Sequence, residues 1–113
     1  MRASSSAALQ LVASDVGDAS EAFSLLAHAP LSGVLHAAGV LHDRLLRSMS
    51  TADVDASFAP KACAASHMQR ALPWNPLEAF GLFSSVASTF GNVGQANYAA
   101  ANAYLDALAS SRR

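Results

Sequence analysis

Three short apolar runs alternate along this chain with three segments of helical period, and no other feature of the sequence restricts the fold as much. Strands that are each followed by a helix build βαβ units around a parallel sheet. The first run covers residues 9–14 and leads through Asp15, Val16, Gly17 and Asp18 into a helix. Asp18 and Glu21 have capping-box spacing there, and Ala22, Phe23, Leu25 and Leu26 form an apolar stripe that ends before Pro30. The second run, residues 33–39, is apolar on both faces, as a central parallel strand covered by helices must be.

After Asp43 the spacing predicts a helix from about residue 50 or 51 to residue 72, with Val54, Phe58, Ala62, Ala65 and Leu72 on one face. Pro60 lies inside it, removes the bond to the Ala56 carbonyl and is expected to kink or break the helix. The third run, residues 79–83, ends in Ser84 and Ser85. A loop with Gly91 and Gly94 then leads to a last helix over residues 95–111, with Tyr98, Asn102, Leu105 and Ala109 on one face. Residues 1–8 read as a variable start and residues 9–113 as one partial domain. The expected fold is α/β: an incomplete Rossmann-like, doubly wound parallel sheet of three strand-helix units. A complete fold of this kind opens with a strand, a glycine-rich turn and a phosphate-gripping helix. No G-x-G-x-x-G occurs here, and the strands that would close the sheet after the third helix are missing as well.

Composition supports a folded chain: of 113 residues 52% are hydrophobic and 13% charged, and a chain of this size buries roughly 65% of its unfolded surface. The net charge is −1 and the basic residues are scattered, so the sequence has no electrostatic footprint for nucleic acid. It contains neither a bilayer-length apolar stretch nor a signal-like start. Lone Cys63 has no internal disulfide partner, which fits a reducing, cytoplasmic setting. His28, His42, His67 and Cys63 lack metal-ligand spacing, so no metal is expected.

Chemistry concentrates near the third run. Ser85 stands at a strand end and Tyr98, 13 positions later, on the first turn of the next helix. Both can then face one crevice at the carboxyl edge of the sheet, where open α/β sheets bind ligands. Small residues at 99, 100, 101 and 103 let the helix approach that crevice closely, and Asn102 lies one turn from Tyr98.

The segment from Leu82 through Ser85, with Gly91-Asn92-Val93-Gly94-Gln95-Ala96-Asn97-Tyr98-Ala99-Ala100-Ala101-Asn102, closely resembles the core of ketoreductase domains of polyketide and fatty acid synthases. These domains are a branch of the short-chain dehydrogenase/reductase superfamily. The runs Gly33-Val34-Leu35-His36-Ala37-Ala38-Gly39 and Phe58-Ala59-Pro60-Lys61 agree with it. The resemblance implies catalytic residues Ser85, Tyr98, Lys61 and Asn102. Most of the superfamily has lysine four residues after the tyrosine. Here Asn102 occupies that position, and Lys61, 37 residues upstream of Tyr98, matches the branch in which the two are exchanged.

A tyrosine phenol ordinarily titrates near pH 10, so trading its proton near pH 7 requires about 4 kcal/mol. An ammonium about 4 Å away supplies roughly that much at an effective dielectric near 20. On this reading Ser85 hydrogen-bonds the substrate carbonyl, Tyr98 protonates it, and Asn102 holds Lys61 or a water in line.

The resemblance also implies NADPH as cofactor, with Asp15 and Val16 toward the adenine and Ala37, Ala38 and Gly39 beside the ribose and nicotinamide. It further implies a β-ketoacyl thioester on an acyl carrier protein as substrate, and neighbouring synthase domains as partners. Leu41, His42 and Asp43 resemble a Leu-Asp-Asp motif linked to hydroxyl configuration, which makes Asp43 a stereochemical candidate, while Phe90 stands where the opposite class has tryptophan.

Plainer readings stand beside these. Asp15 also suits a turn, Asp43 a loop cap, His36 a buried strand histidine, and Trp74 a packed turn or a carrier contact. Without the phosphate-gripping turn, tight NADPH binding and activity by this chain alone are not expected. The alternative function is a non-catalytic piece or interaction module of the same fold.

Overall fold

The computed structural model describes residues 7–72 and 76–112. Most of the variable start, and the turn expected at Trp74, lie outside the described residues. In chain order the elements are α1 (Ala19–Leu26), β1 (Gly33–His36), a 3₁₀ turn (Leu46–Ser48), α2 (Thr51–Phe58), a π turn (Ala59–Cys63), α3 (Ala64–Ala71), β2 (Ala79–Leu82), α4 (Ala87–Phe90) and α5 (Ala96–Ser111). β1 and β2 pair in parallel, from Gly33 opposite Ala79 to His36 opposite Leu82. The ladder continues one step past both strands through the Phe83 N–H to the His36 carbonyl, 3.0 Å. A Cβ at Gly81 would meet Leu35 Cδ2 at 2.6 Å, the far end of an exposed side chain that can turn aside.

Two of the three expected strands form. Residues 9–14 do not, and the sheet has two strands among the described residues. A strand is held by its ladder, and among the described residues no strand pairs with this run. Its leucines stay in solvent, Leu9 at 87% and Leu11 at 88% exposure.

The helices follow the expected caps with informative departures. Asp18 caps α1 by accepting the Glu21 N–H at 3.0 Å, but the Glu21 carboxylate does not close the box on Asp18. It reaches the Asp15 N–H instead, at 2.7 Å. Ser50 and Asp53 form a complete capping box at the start of α2. The helix expected over residues 50–72 is present as α2, π turn and α3, with the irregular part at Pro60.

Leu26, Met68, Ala71 and Leu72 form the buried cluster where α1 packs on α3, with Val16, Leu25, Leu31, Val34, Leu77 and Phe80 partly buried against it. On the other side α5 packs on α2 and the π turn, burying Ala101 and Leu105 completely. The face expected on α5 therefore holds through Asn102 and Leu105, and it ends before Ala109, which is exposed.

Candidate active site

The π turn delivers Lys61. Pro60 has no N–H to give the Ala56 carbonyl, and the backbone widens around it, so that the Ala64 N–H reaches back five residues to the Ala59 carbonyl. The Lys61 carbonyl, which the same N–H also reaches, meets the imidazole of His36 as well, with Nε2 3.0 Å away. A carbonyl oxygen only accepts, so His36 carries its proton on Nε2. Burial lowers the His36 pKa from its ordinary 6.5, opposed by the bond to the Lys61 carbonyl and assisted by the Lys61 charge, and so favours this neutral form. The buried strand histidine expected at His36 is the one observed.

The Lys61 side chain, only 4% exposed, runs to the carboxyl edge of the sheet. Its ammonium donates to the Phe83 carbonyl at 2.6 Å and lies 5.7 Å from the centroid of the Tyr98 ring. Gly39 makes room for it, because a Cβ at Gly39 would lie 3.2 Å from Lys61 Cε. Ala37 and Ala38 are exposed beside it, directly after β1.

Ser85 is half-buried, three residues past the end of β2. Its hydroxyl oxygen accepts the Ala87 N–H at 3.2 Å, which leaves the hydroxyl hydrogen free to donate. Asn102 is fully buried on α5 and donates from Nδ2 to the Tyr98 carbonyl at 2.8 Å. Its Oδ1 has no hydrogen-bond partner among the described residues. A buried amide oxygen left unpaired is costly, and a water or ligand donor satisfies it.

The remaining candidates have other local partners. Asp15 is exposed and its Oδ1 accepts the Gly17 N–H at 2.9 Å, the turn role. Val16 packs on the core cluster, and its carbonyl lies 3.4 Å from His67 Nδ1. The Asp43 carboxylate receives Gln95 Nε2 at 3.2 Å on each oxygen.

Sequence reasoning passed over a buried polar group beside these residues. Asp53 receives the Ser50 N–H at 2.7 Å and hydroxyl at 2.8 Å, Arg44 Nε at 3.1 Å and His42 Nε2 at 2.8 Å. The Ser50 bonds, with Arg44 adding to them against the upward push of burial, hold its carboxyl down to about 2 from 3.8. Ser50 and Asp53 at capping spacing are the only sequence signal for it, and that signal carries no hint of His42 or Arg44.

Just past the carboxyl ends of a parallel strand pair, the site sets a buried lysine ammonium beside a tyrosine ring. A short-chain dehydrogenase/reductase from Vibrio parahaemolyticus superposes on 88% of this chain and 51% of its own, with a TM-score of 0.77 at 19% identity, which speaks to the fold alone. The KR domain family matches residues 2–113, and the chain belongs to that family of ketoreductase domains. It is 48% identical over 109 residues to the spectinabilin polyketide synthase system protein NorB of Streptomyces orinoci, covering 93% of this chain. The first ketoreductase of the tylosin polyketide synthase is similar in structure, with a TM-score of 0.83 and 40% identity over 88% of this chain. The chain spans 5% of the length of NorB and 22% of that ketoreductase chain.

Proposed function

We propose that this chain carries the proton-transfer centre of an NADPH-dependent β-ketoacyl reductase, acting on thioesters held by an acyl carrier protein during polyketide or fatty acid synthesis. The observation that carries the reading is the buried Lys61 ammonium set 5.7 Å from the Tyr98 ring centroid by a proline-made π turn. Tyr98 donates its phenolic proton to the carbonyl oxygen of the substrate, Ser85 donates its free hydroxyl hydrogen to the same oxygen, and Lys61 stabilises the phenolate left behind.

A nicotinamide held here would supply the hydride to the carbonyl carbon. The residues present fit such a group: Ala37 and Ala38 offer exposed, side-chain-poor backbone beside Lys61, and Gly39 keeps the crevice floor clear. The unpaired Oδ1 of Asn102 suits a water that returns a proton toward Lys61. Asp15 and Val16 would lie toward the adenine, and Asp43, held by Gln95, would act on substrate orientation. Neighbouring synthase domains complete the reductase, and the setting is cytoplasmic. Among the described residues no helix is long and apolar enough to cross a membrane.

Titration of the chain with NADPH, followed by cofactor fluorescence, tests the reading. Weak but saturable binding is expected. In a synthase carrying this chain, Tyr98→Phe and Lys61→Met are each expected to lower ketoreduction by about 10²–10⁴-fold while leaving NADPH binding in place. A chain with no saturable binding, in a synthase whose ketoreduction tolerates both changes, belongs instead to a non-catalytic piece of the same fold.

A further inference from the structure

The residue before Tyr98 uses its whole side chain on backbone. Asn97 is buried, and its Nδ2 donates to the His42 carbonyl at 3.0 Å and to the Asp53 carbonyl at 2.8 Å. Its Oδ1 accepts the Tyr98 N–H at 2.9 Å, one of the N–H groups that a helix start leaves without an internal partner. Gln95, at the N-cap of α5, makes no such bond, so Asn97 takes over the capping work. Loop 40–44 is held a second time where the Arg44 N–H reaches the Gly94 carbonyl at 2.8 Å. Asp53 closes the set by gripping His42 and Arg44 from the first turn of α2.

We propose that Asn97 and Asp53 are positioning residues for Tyr98, joining the first turn of α5, loop 40–44 and the start of α2 into one unit, so that the phenol keeps its place over Lys61. The proposal rests on the reading of Tyr98 as proton donor. An amide is the one short side chain that donates twice and accepts once in this geometry, which is what two carbonyls and one N–H require. The bonds run from residue 97 to residues 42 and 53, so they fix tertiary placement, whereas the helix itself has its own ladder.

The test uses the full chain and Asn97→Asp, which keeps the shape, removes both donors and sets a carboxylate against two carbonyls. NMR reads the exchange of the Tyr98 and Arg44 amides and the NOE between the Tyr98 ring and the Lys61 ε-methylene. Exchange at least tenfold faster at the Arg44 amide and a weakened NOE are expected, with Phe83 N–H exchange unchanged. Unchanged exchange at Arg44, or a retained NOE, overturns the proposal, while the Tyr98 amide keeps an acceptor in the carboxylate.

Should N97D lose the Phe83 protection as well, Asp53→Asn is read in the same way. It releases the two ionic contacts of loop 40–44, and it supports or overturns the proposal by whether the NOE weakens with Phe83 still protected. NADPH plays no part in these measurements. A chain that passes them, yet shows no saturable binding and sits in a synthase whose ketoreduction tolerates Tyr98→Phe and Lys61→Met, therefore sinks the reductase reading and leaves the positioning of the Tyr98 ring intact.

Discussion

At the scale of single residues, Lys61 does two jobs from one position. Its carbonyl anchors His36 and its ammonium meets Phe83 and the Tyr98 ring. Gly39 is the side-chain-free position that permits this. In Gly39→Ala the new methyl meets the flexible end of a lysine and not backbone, so the ammonium moves rather than the fold. We expect the melting temperature to fall by only a few degrees while the NOE between Lys61 and Tyr98 disappears. Unaltered contacts in G39A count against the role assigned to this glycine. The meeting of Lys61 with the Tyr98 ring was legible because their spacing is that of a family. Asp53 and Asn97 were not, because an aspartate and an asparagine near helix starts are ordinary in sequence. Only the fold brings His42 and Arg44 to the one and two carbonyls to the other.

At the scale of elements, a proline in the middle of a helical pattern predicts an interruption, and the interruption is where the lysine emerges. The sequence placed that break at residue 60 but carried no sign of the π form, which depends on how α2 and α3 are both held by packing. Pro60→Ala restores an N–H that can bond the Ala56 carbonyl, and a proline inside a helix costs about 3 kcal/mol. P60A is therefore expected to melt at the same or a higher temperature and, in a synthase carrying it, to reduce its substrate at least tenfold more slowly, because the turn tightens and Lys61 rotates off the crevice. A variant that is more stable and equally active removes the reason for the π turn. The run at residues 9–14 was misread for a complementary reason. Apolar residues in a row describe what a strand buries, and a ladder also needs a neighbour, which no local pattern reports.

At the scale of the whole molecule, acid should unfold this protein in two recognisable stretches. His36 is held neutral by burial, so the folded state takes up fewer protons than the unfolded chain as pH drops below about 6.5, and stability declines there. Asp53 has a folded pKa of about 2 against an ordinary 3.8. Its contribution is complete above about pH 4 and is lost as pH falls toward 2. Urea unfolding midpoints measured from pH 7 to pH 2 check both, and Asp53→Asn is expected to flatten the lower stretch only.

The molecule is also less compact than its length suggests, with a radius of gyration of 16.2 Å against about 13 Å for a self-contained domain of this size. The alternation of strand and helix was readable at this scale, and the shape was not, since it depends on which apolar faces find a cover. The double hold on Lys61 has a mechanical side. One end of that residue is fastened to the tip of β1 through His36 and the other to the residue just past β2 through Phe83, so it spans the two strands like a staple. Sliding one strand past the other by a single residue, about 3.3 Å, would tear one fastening or drag the charge away from the aromatic ring. The pairing of two four-residue strands is thus written directly into where the ammonium stands.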